Sequence, residues 1–140
     1  MYRRRPAFFT MRANNRNFAV ASIGNTRTLA APINAVPGQS RPVRRGETLV
    51  LYANGLGPTN PAPPVGRILS APFPVFADPA NITIYFDQIA VRPTYTGMTI
   101  AGVFQINVQV PSTSRTGEIP IRIQTDGESS PPQIFSSVDP

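Results

Sequence analysis

The sequence contains no cysteine, histidine, tryptophan or lysine. Without cysteine there is no disulfide framework and no thiolate metal site. Without histidine the commonest general base and metal ligand is missing. Together these absences exclude a Ser-His-Asp arrangement and a thiol nucleophile. No catalytic residue, metal site or cofactor site is therefore expected. Gly55-Leu56-Gly57 is not read as a phosphate cradle, because Pro58 and Pro61 prevent a following helix and no lysine is available. These glycines instead let the chain leave a strand or pass close to a neighbour. Seven acids remain. Asp126 and Glu128 flank a turn glycine and read as solvated turn acids, not as a glycosidase pair or calcium ligands. No stretch is long enough to span a bilayer.

What is present points to short strands. Seventeen prolines and ten glycines accompany 41% apolar residues in a chain of 140. Proline breaks helix interiors, so this mixture reads as strands joined by turns. The apolar runs argue against disorder. Glu47–Ala53 is apolar on both faces and is expected to be a central strand. Asn81–Asp87 alternates, as does Phe104–Val110, which Pro111 ends. Ile119, Ile121 and Ile123 alternate with Pro120, Arg122 and Gln124, and Asp126-Gly127 signals a hairpin. Further strands are expected at 18–23, 89–95 and 133–138, with Pro93 marking an edge. Thr96-Gly97 reads as a turn. Residues 1–17 read as irregular, and the prolines of 65–80 predict little regular pairing there. The expected fold is all-β: an immunoglobulin-like sandwich of about seven short strands behind a basic N-terminal lead-in. A barrel or jelly roll is the alternative.

Charge divides the chain. Residues 1–45 carry nine arginines and no acid; residues 46–140 carry four arginines and seven acids. The expected organisation follows this division. Residues 1–45 form a basic segment that completes the sandwich or pairs with a neighbour, and residues 46–140 form the sandwich itself. A basic arm before a β-sandwich is also the layout of proteins that neutralise nucleic acid. Phe8-Phe9 interrupts the arm here, so solvated or interface arginines are the preferred reading.

Three segments carry a resemblance: RGETLVLYANGLGPTNPAPP at 45–64, VFQINVQVP at 103–111 and GEIPIRIQTDGESS at 117–130. Their order and spacing resemble the uncharacterised C-terminal domain family first named from Solibacter, which looks similar to immunoglobulin-like IPT/TIG domains. PAFFT at 6–10 and the strand at 18–22 extend the resemblance over nearly the whole chain. Asp87-Gln88 departs from the family's glycine-rich hairpin, and 65–80 is hard to match. The resemblance implies an exported, cell-surface module without known catalytic residues. Met1–Arg5 is followed by too short an apolar run for a signal peptide, so if the protein is exported the chain is expected to be a piece of something larger or to lack its true start.

The expected function is a non-catalytic structural or binding module for protein contact, surface attachment or self-assembly. Its partner is another protein or an identical subunit, and its arginines offer a site for an acidic polymer. The expected contact residues are Arg41, Arg44, Arg45, Asn54, Thr59, Asn60, Tyr95 and Met98. Arg3, Arg4, Arg5, Phe8 and Phe9 form the candidate assembly segment, joining a neighbour by strand addition. The alternatives are a nucleic-acid-binding or capsid-like protein and a carbohydrate-binding module. Absent tryptophan and only four tyrosines weigh against the last.

Overall fold

The computed structural model describes residues 6–55, 59–60, 75–76, 82–100, 103–125 and 127–140, with backbone pairing alone at 59–60, 75–76 and 98–100. No helix occurs among them. The basic segment contributes β1 (Ala7–Phe8), β2 (Thr10–Ala13), β3 (Arg16–Ala19), β4 (Ala21–Ile23), β5 (Leu29–Ala30), β6 (Ser40–Arg41) and β7 (Val43–Arg44). The long apolar run forms β8 (Thr48–Asn54), followed by the short β9 (Thr59–Asn60) and β10 (Val75–Phe76). The alternating segments form β11 (Thr83–Phe86), β12 (Ile89–Val91), β13 (Tyr95–Ile100), β14 (Val103–Gln109) and β15 (Gly117–Thr125). Then come β16 (Glu128–Ser129) and β17 (Ile134–Asp139).

These strands make two mixed sheets, a β-sandwich. The first runs β6-β5-β4-β8-β14-β13-β10-β9, with β1 also on β8. The second runs β12-β11-β15-β17-β3-β2, with β16 on β15 and β7 on β17. Period-two alternation turns one face of each sheet inward. Leu49, Leu51 and Ala53 of β8 join Phe104, Ile106 and Val108 of β14 on the first inner face. Ile84, Phe86, Ile119, Ile121, Ile123, Ile134 and Val138 answer from the second. Each fully buried Ile, Leu or Phe stabilises the fold by about 1.5–3 kcal/mol.

The basic segment belongs to both sheets. β1 lies on β8 and β2 on β3, so the chain changes sheets at Phe9; between β3 and β4 it changes back at Val20. Hydrogen bonds lock this double crossing: the Phe9 N–H donates to Tyr52 O (3.0 Å), and Phe9 O accepts from Val20 N–H (2.7 Å). Phe8, Ala19, Ala21, Ile23, Ala30 and Val43 all enter the core. Residues 6–17, expected to be irregular, thus hold two strands and the start of a third. Their signal was hidden because β2 is an edge strand with polar and half-buried residues, not an apolar alternation.

Thr96-Gly97 is not a turn. Both residues lie inside β13, where Gly97 pairs with Gln105 of β14 and Val75 of β10. A glycine in a strand is read as punctuation when its neighbours are unknown. Here close pairing on both sides holds it extended. Val75–Phe76 is likewise a short strand within the proline-rich stretch, while Phe73 and the rest of 61–74 and 77–81 lie outside the described residues.

One apolar row lies on the outer face of the second sheet. Met11, Phe18, Phe135 and Pro120 are neighbours across β2, β3, β17 and β15. Phe18 is fully buried there and meets Phe135 at 6.5 Å between ring centroids.

Candidate functional site

The loops at the start of β8 gather positive charge. The turn of Arg44–Glu47 is stitched to two strand ends: Arg45 N–H donates to Asp139 O (3.3 Å) and Gly46 N–H to Val110 O (2.9 Å). Gly46 takes φ 85°, a left-handed conformation that glycine adopts without penalty. Beside it, Gly24 N–H donates to Thr48 O (2.8 Å), which brings the Gly24–Thr28 turn and Arg27 to the same end. Arg27, Arg44 and Arg45 are exposed, and none holds a carboxylate in a direct ion pair among the described residues.

Arg41 has a different role. Its guanidinium grips Glu47 with two bonds of 2.9 Å, and the Arg44 N–H adds a third to the same carboxylate (2.7 Å). The Arg41 bonds outweigh the cost of burial, and with the Arg44 contact they lower the Glu47 carboxyl to about 2. The Arg41 guanidinium is correspondingly raised by its bond to Glu47. Arg41 therefore braces the basic turn and is not an open cation.

The expected contact residues do not form one surface. Arg41, Arg44 and Arg45 lie near the start of β8, with Tyr95 half-buried toward the same end of the sheet. Asn54 ends β8, roughly 20 Å away at the usual strand rise. Thr59, Asn60 and Met98 pair toward that far end, and their side chains lie outside the described residues, as do Leu56–Pro58. Of the candidate assembly segment, Arg3, Arg4 and Arg5 lie outside the described residues. Phe8 packs in the chain's own core, so it is not open to a neighbour, while Phe9 is 38% exposed. Asp126 also lies outside the described residues. No group of three or more His, Cys, Asp or Glu among the described residues is placed to hold a metal ion. No helix among them is long and apolar enough to cross a membrane.

Sequence reasoning missed two features. Arg27 stands far from Arg44 in the chain and joins it only through β4–β8 pairing. The other is a polar cleft of about 500 Å³ at the far end of the second sheet. Its walls are the β2–β3 turn and the start of β17. Asn14 and Asn15 turn the hairpin with φ 50° and 62°, and Gln133 faces them with φ 65°. The one signal available was Asn14-Asn15, a pair suited to a two-residue hairpin turn. Comparison with family models, curated proteins and solved structures returned no match.

Proposed function

We propose that this chain is a non-catalytic, immunoglobulin-like module that makes protein–protein contact through its basic end. The supporting observation is the convergence of Arg27, Arg44 and Arg45, exposed on loops that a rigid sandwich holds in place. Loops on such a scaffold are free to vary while the strand interiors are committed to the core. Three exposed guanidiniums suit an acidic protein surface, since arginine forks match carboxylates geometrically. The resemblance to the Solibacter-type family supports an exported, cell-surface setting and an IPT/TIG-like identity for the sandwich.

Nucleic acid is the competing partner for the same arginines. A photo-crosslinking residue placed at position 27 or 45 of the full chain in its producing cells separates the two. The expected result is a discrete protein adduct from both positions and none from position 129 at the other end. Adducts that a nuclease removes, or no adduct at all, would overturn the reading.

A further inference from the structure

We propose that the cleft between the β2–β3 turn and the start of β17 binds a carboxylated saccharide, taking a uronic-acid unit of an acidic polysaccharide. The site stands at the opposite end from the basic loops, so it goes beyond the contact role and can fail separately.

Charge is the first ground. Among the described residues, Arg12 bonds only neutral oxygens: Asn17 Oδ1 at 3.3 Å and Asn15 O at 3.4 Å. Both are at or beyond the long limit for N–H···O bonds, so they steer the guanidinium without satisfying it. Arg16 is anchored instead, with Nε 2.7 Å from Glu118 and its guanidinium 4.8 Å over the Phe135 ring. Two guanidiniums less one carboxylate leave a single positive charge, the complement of one ligand carboxylate.

Side-chain amides are the second ground. Asn14, Asn15, Asn17 and Gln133 line the same cleft. Each amide sets a donor beside an acceptor, the pairing that neighbouring sugar hydroxyls require.

Preorganisation is the third. Left-handed backbone at Gln133 is unfavourable for a non-glycine residue, and such strain persists where surrounding structure holds it. Asn14 is held by the Asn34 amide, which donates to its Oδ1 at 3.3 Å. The volume, about 500 Å³, falls within the ordinary range for small-ligand sites, roughly 300–1,000 Å³.

Isothermal titration of the full chain with tetragalacturonate tests the proposal. The controls are the neutral galactose tetrasaccharide, tetraglutamate and tetrathymidylate. Uronate binding is expected, with the neutral sugar at least about tenfold weaker, a difference of about 1.4 kcal/mol. Arg12→Gln should weaken uronate binding by about tenfold or more, and Arg12→Lys by less, since it keeps the charge and loses the fork. Asn15→Gly suits the same turn, so it keeps the hairpin while removing one amide; about threefold weaker binding is expected. The proposal is overturned by no uronate binding at millimolar concentration, or by tetraglutamate or tetrathymidylate binding as tightly. It is equally overturned if Arg12→Gln and Asn15→Gly both leave the affinity unchanged.

Discussion

Glu47 sits at the crossing of three hydrogen bonds, and its titration follows from them. Its carboxyl is lowered from 4.5 to about 2, so the folded state gives up this proton more readily than the unfolded chain does. The resulting stability is fully present above about pH 4.5 and is lost as pH falls toward 2. The Arg41–Glu47 pair is about a third exposed, which discounts its worth to about 1 kcal/mol. Glu47→Gln should therefore destabilise the protein at pH 7, and the gap from the parent should close on acidification. Urea unfolding at several pH values measures this. At the neighbouring Gly46, no atom lies within 4 Å of an added Cβ, yet φ is 85°. Gly46→Ala should cost about 1–2 kcal/mol from backbone strain alone, read from the urea midpoint. The sequence made the arginines at 41, 44 and 45 visible as a group. It did not reveal that Glu47 removes Arg41 from the contact surface, because that depends on how the turn closes.

Among the elements, the strands legible in advance were the long ones, either alternating with one solvated face or, like β8, apolar on both. β14 and β15 read cleanly because their isoleucines and valines face a single core. β1 and β2 did not, since their pairing crosses between sheets and leaves polar residues at an edge. The end of β15 shows a second kind of hidden order. Ser130 follows the β15–β16 hairpin, and its N–H donates to Ile123 O (2.9 Å). Its hydroxyl accepts from Ile123 N–H (2.8 Å), so one residue closes both sides of the ladder just before Pro131 and Pro132 interrupt it. Ser130→Ala leaves a buried N–H of β15 without its partner, at a cost of about 1–3 kcal/mol. Thermal unfolding should show the loss, and hydrogen exchange should place it at Ile123.

At the scale of the whole molecule, the charge boundary near residue 45 does not coincide with a boundary in packing. Residues 7–44 pair in both sheets, and Val43 of β7 lies parallel to Val138 of β17. A fragment of residues 46–140 would expose the edges of β8 and β17 and lose six core side chains contributed by the basic segment. It is expected to show no cooperative unfolding transition, whereas the full chain should unfold in one step; calorimetry distinguishes them.

The strand-rich class, the inward-facing residues of the long strands and the absence of histidine and thiol chemistry were all readable from the amino-acid order. Those properties rest on composition and on the two-residue period, which any sheet reads in the same way. Strand pairing in three dimensions made the basic lead-in change sheets twice and brought Arg27 to the end that carries Arg44 and Arg45. It also set Gln133 and Phe135, at the start of β17, against the β2–β3 hairpin that carries Arg12 and Arg16. These are juxtapositions of residues far apart in the chain, and they exist only once strand pairing has chosen its partners.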